Sequence, residues 1–484
     1  MGHSSDNDLV FKSIGDLSRM LCARKISSVE LTRLFLDRLG AQGPVYNALA
    51  ELTPEIALAQ ARRADRMFSR GDVVGPLQGV PYGAKDLLAT RGIPTRWGSP
   101  VHRDQVFDYD ATVVRRLADA GAVLVGKLAM VEFAGGGGYE YPTASLHGPG
   151  LNPWNLGHWA GGSSSGSGSA VAAGLVPYAL GSETWGSIVT PSAFCGITGH
   201  RPTWGLVSRH GAMELSWSMD KVGPMARSAE DCGRVLAAIA GFDGHDVTVA
   251  GPEFKFASRI ARRRFRLGVL PADFADAPEL ERAFADAVRV LRRAGMRVAR
   301  APLPDHPYDD TARTILNGEI AAAHAEFIAG DRVNELVDAG QKEGLKATLN
   351  LPASHYARAQ RKRMHITHDV LGFFERFDAL LSPSLMNEAV TLETNIKTMQ
   401  RPKGNYSVLG ALCGLPALSL PMGFGRQGLP LGLAITGNMF DDATVLQIGM
   451  VFQRETDWHR RHPAVEAPTY RAAAPLVCPS ATAP

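Results

Sequence analysis

The sequence predicts an α/β fold: one large domain with a central mixed, mostly parallel sheet and helices on both faces. Three observations point there. Helical and strand patterns alternate along the chain, the strand patterns are short buried apolar runs, and no repeat of fixed period or low-complexity linker divides the 484 residues. The organisation expected is an N-terminal helical segment over 1–75 packed on the core, a main domain over 76–470, and a flexible tail over 471–484.

Each element has a local cause. Ser27-Ser28-Val29-Glu30 is a capping box opening a helix with Leu31, Leu34, Phe35 and Leu39 at helical spacing. A second helix, rich in alanine and charge, is expected over about 54–68. Asp110-Ala111-Thr112 is expected to cap a helix with Val113, Val114 and Leu117 inward, stopped at Gly121 before a buried strand over 122–125. Small residues 167–173 read as a compact helix ending at Gly174, Tyr178-Ala179-Leu180 as a strand, and Thr190-Pro191 as the start of another helix with proline at its first position. A strand over 265–270, an amphipathic helix over 279–294 and a strand over 296–299 form a further βαβ unit. Segment 311–363 has the composition of a helical cover over the sheet, and 386–405 reads as a loop.

Composition narrows the function. With 45% apolar, 20% charged and 7% aromatic residues the chain is an ordinary globular one, and a net charge of +3 leaves no electrostatic footprint for nucleic acid or an anionic membrane. A small-molecule partner is expected, and a homo-oligomer is compatible with this. Five scattered cysteines without ligand spacing read as reduced and mostly buried. The polar start Met1 to Asp6 argues against a secretory signal, Asp6 breaks the myristoylation pattern, and no apolar run approaches the roughly 18 residues of a membrane span. A cytoplasmic location follows. Fourteen histidines show no metal-ligand spacing, so no metal, no cofactor and no Ser-His-Asp triad is called for, and His200, His210 and His324 read as structural or exposed.

The chemistry gathers in two serine blocks and one lysine. Gly161 to Ser169 has a linker's composition, yet it runs straight into the apolar helical Ala170-Val171-Ala172-Ala173, which makes it a tight functional turn. Bare glycine amides and a helix N-terminus suit an anion or oxyanion. The block also fits G-x-S-x-G with Ser164 as nucleophile, but residues 155–160 before it do not read as the buried strand such an elbow needs. Ser218 and Lys221 fit S-x-x-K without a companion K-T-G, and Gly121 to Lys127 fits a phosphate loop until Leu128 stands where Ser or Thr must hold magnesium. Ser182-Glu183-Thr184-Trp185-Gly186-Ser187-Ile188 is the second block. Lys85 sits in the apolar frame Val80-Pro81-Tyr82-Gly83-Ala84, which favours burial and a lowered pKa over a side chain extended to solvent.

Together with Gly79-Val80-Pro81, Asn152-Pro153-Trp154, Ser192-Ala193-Phe194-Cys195-Gly196, Arg201-Pro202-Thr203-Trp204-Gly205 and Gly428-Leu429-Pro430-Leu431-Gly432, this set resembles the amidase signature family over nearly the whole chain, densely over 79–227. The resemblance implies cleavage of amide, and sometimes carbamate, C–N bonds through a serine acyl-enzyme. It makes Ser187 the nucleophile, Ser163 the bridging serine behind a cis peptide bond, Lys85 the base, and the amides of Thr184, Trp185, Gly186 and Ser187 the oxyanion hole. Ser164 either supports Ser163 or Lys85 or is a solvated loop serine. Met130, Gly135, Gly136 and Trp185 are expected to line the substrate pocket, although Trp185 could equally pack in the core. Trp185 stands where the family usually has glycine, and Val189 where arginine is common. The reading drawn from this is a free-standing hydrolase of a small, apolar or aromatic amide or a carbamate, with no obligate partner subunits. Its alternative is the glutaminase (A-type) subunit of a tRNA-dependent amidotransferase, against which Trp185 and Val189 count mildly. Kept against both are an esterase using Ser164 and a non-catalytic binding module, which would need one of Lys85, Ser163 and Ser187 lost.

Overall fold

The computed structural model describes residues 9–275, 277–399, 403, 404 and 406–464. The polar start Met1 to Asp6, Cys478 and the expected tail over 471–484 lie outside them. Strands, in chain order, are β1 (Leu49–Leu52), β2 (Pro81–Lys85), β3 (Val123–Leu128), β4 (Leu151–Asn152), β5 (Asn155–Trp159), β6 (Tyr178–Glu183) and β7 (Thr198–Arg201). Then follow β8 (Lys221–Ala226), β9 (Arg266–Val269), β10 (Arg297–Arg300), β11 (Ala379–Pro383), β12 (Ala417–Phe424) and β13 (Pro430–Gly437). All but β4 and β5 join one mixed sheet of order β1-β3-β2-β6-β8-β7-β12-β13-β11-β9-β10. Strands β3, β2 and β6 run parallel, as do β11, β9 and β10, and antiparallel pairing joins the two sets through the middle. Strands β2 and β3 are buried along their whole length, so their side chains, charged ones included, are held away from water.

Helices arise largely where local signals place them. Helix Ser28–Gln42 carries both hydrogen bonds of its capping box, and helix Pro54–Arg70 closes on Gly71 in the left-handed conformation. Helix Thr112–Asp119 starts on Ala111 with no side-chain cap, because Asp110 accepts the Arg91 amide at 2.8 Å instead. Helix Val189–Cys195 begins before Pro191, which therefore sits third rather than first: the Glu183 carboxylate accepts the amides of Ile188 and Val189 and fixes the start there. Residues 155–159 form a strand that the sequence reading missed, since β5 pairs with β4 and, through a single bridge, with Thr391, apart from the main sheet, and exposes its first residues.

Helices Tyr308–Ala323, Ala339–Thr348 and Ala353–Leu371 make the expected cover, the first packing against the other two and against helix Ser407–Cys413. The cover meets the glycine run at bare backbone. A Cβ on Gly137, whose φ is +80°, would lie 2.6 Å from the Leu345 nitrogen and 2.8 Å from the Gln341 oxygen. Cys195, Cys232 and Cys413 are buried free thiols and Cys22 is exposed. No helix among the described residues is long and apolar enough to cross a membrane.

Candidate active site

Lys85 ends β2, and the strand's burial carries its ammonium into the protein, where the side chain is 0% exposed. Its Nζ donates to Ser163 Oγ at 2.7 Å and to Ser182 Oγ at 2.9 Å. Burial lowers the Lys85 pKa to about 7, against the opposing pull of Asp220 and Glu183. A substantial neutral fraction therefore exists at neutral pH, and a neutral amine can accept a proton.

Gly162-Ser163 is a cis peptide bond, and the Ser163 carbonyl accepts the Val131 amide at 3.1 Å. Helix Ser165–Ala172 follows at once, built of small residues because the chain beside it leaves no room. A Cβ on Gly166 would fall 2.5 Å from the Ala48 oxygen and 2.6 Å from the Ala129 nitrogen and oxygen. Ser164 is fully buried; its hydroxyl donates to the Ser182 carbonyl at 3.2 Å and accepts the Ser182 amide at 3.3 Å. It is thus neither a solvated loop serine nor a direct partner of Lys85 or Ser163. It holds Ser182, which in turn touches Lys85.

The second serine block leaves β6 in a sharp turn. Gly186 takes φ +91°, a conformation open to glycine, whereas Trp185 keeps out of the positive-φ region. The amides of Ile188 and Val189 are spent on Glu183 Oε2, at 2.8 and 2.9 Å, while those of Trp185, Gly186 and Ser187 have no acceptor among the described residues. Buried Arg201 donates to Glu183 Oε1 at 2.7 Å, so a cation from β7 neutralises the carboxylate beside Val189. Thr184 is pinned differently. Its hydroxyl donates to Asp220 Oδ1 at 2.5 Å, and Asp220 Oδ2 accepts the amides of Leu215 and Ser216, each at 2.8 Å.

The Ser164 amide donates to the Ser187 carbonyl at 3.3 Å, which sets the two blocks side by side. Exposure falls from 9% at Ser187 to 1% at Ser163 and 0% at Lys85, so of the three only Ser187 presents itself to the cavity. That cavity measures about 650 Å³ and has walls of Trp159, Phe194, Trp185 and the 134–139 loop, with Arg313 on the covering helix. Gly135 and Trp185 line it. Met130 and Gly136 do not: the Met130 side chain is fully buried in the main core cluster, and the Gly136 Cα faces Leu215. Trp185 does both things foreseen, lining the cavity with one face while packing against the cluster around Leu409 and Leu412. Ser218 and Lys221 do not act together: Ser218 Oγ donates to Glu319 Oε1 at 2.7 Å, while Lys221 Nζ donates to the carbonyls of Thr184 and Gly410.

Sequence reasoning missed Ser182, Asp220, Glu183, Arg201 and Arg313. Ser182 and Glu183 stand in the quoted block, and polar side chains at the end of a buried strand pattern were the available signal. Asp220 reaches Thr184 only through the antiparallel register that sets Lys221 against Glu183, which no local pattern reveals.

Comparison with known proteins agrees with this geometry. The family model described as Amidase matches residues 30–446. The chain is 38% identical to the A-type subunit of the glutamyl-tRNA(Gln) amidotransferase of Methylococcus capsulatus, across 94% of this chain and 99% of that protein. It is 36% identical to the corresponding subunit of Chloroflexus aggregans, with the same coverage. Its fold is similar to the peptide amidase of Stenotrophomonas maltophilia (TM-score 0.84, 31% identity, 94% and 99% of the two chains). It is also similar to a bacterial aryl acylamidase of the amidase signature family (TM-score 0.83, 25% identity, 93% and 98%).

These relatives correct two expectations. The reading as a free-standing hydrolase of small apolar amides or carbamates gives way to its alternative, because the full-length curated relatives are subunits of an amidotransferase. The expectation of no obligate partner subunits falls with it. Trp185 and Val189 carried too much weight. Trp185 keeps out of the positive-φ region, and the Val189 amide donates to Glu183, which is paired with Arg201, so neither residue strains the turn.

Proposed function

Because the chain belongs to the amidase family, enzymes acting on C–N amide bonds other than peptide bonds, we propose that it is the amide-cleaving subunit of a tRNA-dependent amidotransferase, releasing ammonia from glutamine for partner subunits. The observation that carries this reading is the likeness to A-type subunits over nearly the full length of both chains. The same reading assigns it to the cytoplasm, where charged tRNA is made.

Lys85, Ser163 and Ser187 supply the chemistry. An amide carbonyl is a poor electrophile and a serine hydroxyl a weak nucleophile until a base takes its proton. Neutral Lys85 takes the Ser163 proton as Ser163 takes that of Ser187, and Ser187 Oγ attacks the carboxamide carbon. The developing oxyanion is received by the turn Thr184–Ser187, whose Trp185, Gly186 and Ser187 amides have no other acceptor among the described residues, each such donor contributing about 10²–10³ in rate. The proton returns through Ser163 to the leaving nitrogen, ammonia departs, and water cleaves the acyl-enzyme to glutamate by the same relay. Asp220 holds Thr184, and Glu183 with Arg201 holds the far end of the turn, so the donors stand ready before substrate arrives.

The test is affinity capture of the tagged chain from its native cells, followed by assay of the captured material for glutamine-dependent amidation of misacylated Glu-tRNA. Co-purifying subunits and ammonia transfer to tRNA are expected. A chain that purifies alone, and whose glutamine turnover is unaffected by any co-expressed subunit, would overturn the reading.

A further inference from the structure

Three charged side chains line the cavity among the described residues, Asp309, Arg313 and Lys397, and none has a counterpart in the relay just described. Arg313 lies on the helix Tyr308–Ala323 and lines the same cavity as Ser187, with its guanidinium carbon 5.8 Å from the centre of the Trp185 ring. The other arginine and lysine heads at the site are engaged: Arg201 with Glu183, Lys221 with two carbonyls, and Lys397, also on the cavity wall, with the Gly340 carbonyl. Arg313 forms no hydrogen bond or ion pair with another described residue, and its side chain is exposed. Asn317, one turn further along the helix, lines the same wall and adds a carboxamide.

A guanidinium laid on an indole is oriented by the ring and keeps its N–H fork for an anion, and a planar carboxylate matches that fork with two parallel hydrogen bonds. We propose that Arg313, braced on Trp185 and assisted by Asn317, binds a carboxylate of the substrate and so selects amides whose acyl part ends in one. Trp185 then has a specific use: it is the platform that sets the arginine at the right depth. The inference deepens the proposed function, since glutamine is such an amide, and rests on it only for the chemistry at Ser187.

The test uses two amides of equal chain length, the monoamide of glutaric acid and pentanamide, which carries a methyl group in place of the carboxylate. The wild-type chain should favour the first in kcat/KM. Arg313→Met should lower kcat/KM for the glutaric monoamide by about tenfold or more, mainly through KM, and leave pentanamide within about twofold; Arg313→Lys should restore only part of the loss because a point charge lacks the fork. Calorimetric binding of both amides to the Ser187→Ala variant, with and without Arg313→Met, gives the same comparison without turnover. Equal losses for both amides, or no carboxylate preference in rate and binding alike, would overturn the role of Arg313. Carboxylate preference without amidation of tRNA would sustain Arg313 and overturn the amidotransferase reading, so the two failures are distinguishable.

Discussion

Lys85 Nζ and Ser163 Oγ meet at 2.7 Å in a site where neither side chain is more than 1% exposed. A lysine so placed loses the solvation that keeps its ordinary form charged, and its pKa falls to about 7. In the proposed relay function turns on this, because the ammonium form cannot take a proton.

The first prediction is a pH profile. Below neutral pH Lys85 is protonated and inactive as a base; as pH rises through about 7 it becomes neutral. The hydrolysis rate should therefore rise about tenfold per unit on the acid side and level off above neutral. Lys85→Ala should cost about 10²–10⁴ in rate, and Lys85→Arg should not rescue it, since guanidinium stays protonated. A flat profile across the same range, with the chemical step shown to limit the rate, would exclude lysine as base.

Asp220 gives a second prediction. Of the two carboxylates that oppose the fall of the Lys85 pKa, Asp220 exerts the larger pull. Asp220→Asn keeps the side-chain size and offers an oxygen to the Leu215 and Ser216 amides and an N–H to Thr184. With the negative charge gone, the acid limb of the profile should move to lower pH, alongside a loss in kcat from the loosened Thr184. An unmoved limb would show that Asp220 is only a structural brace.

Gly137 tests how the cover is joined to the glycine run. An alanine there must occupy a positive φ and press on the backbone of helix Ala339–Thr348 at Leu345 and Gln341. Gly137→Ala should destabilise the protein by about 1–3 kcal/mol, read as a lowered urea midpoint, and should raise KM because this helix lines the cavity at Gly344 and Ala347. An unchanged midpoint would mean that the cover shifts without cost.

Lys127 and Asp86 supply a stability test outside the relay. They form an ion pair at 3.3 Å with both side chains fully buried, and burial pushes each toward its neutral form. Lys127→Met leaves a buried carboxylate unpaired and should cost about 3–5 kcal/mol, whereas Lys127→Met with Asp86→Asn should recover much of it. Denaturation of the single and double variants decides the point.

Much of this was legible because its cause is local. The capping box at Ser27 and Glu30, the apolar frame of Lys85 and the small residues around Ser163 all act on near neighbours; the meeting of Lys85 with Ser163, at 2.7 Å, was implied by the family resemblance and by no local pattern. What stayed hidden depends on pairing across the sheet or between distant segments. Asp220 meets Thr184 through the register of β6 with β8, and Arg313 reaches Trp185 from a helix far along the chain. Strand β5 was missed because two-stranded pairing at the surface needs no apolar alternation. The expectation of no obligate partner subunits rested on the residues beside the nucleophile, which speak to the pocket lining and carry no information on assembly, whereas the full-length relatives are amidotransferase subunits.

The most direct measurement of the central claim is rapid acid quench of the enzyme during glutamine turnover, followed by peptide mapping by mass. The account predicts a γ-glutamyl ester on the peptide at Ser187, absent from a folded but inactive Ser187→Ala variant. An ester on Ser164 or Ser163, or undiminished turnover by Ser187→Ala, would contradict it.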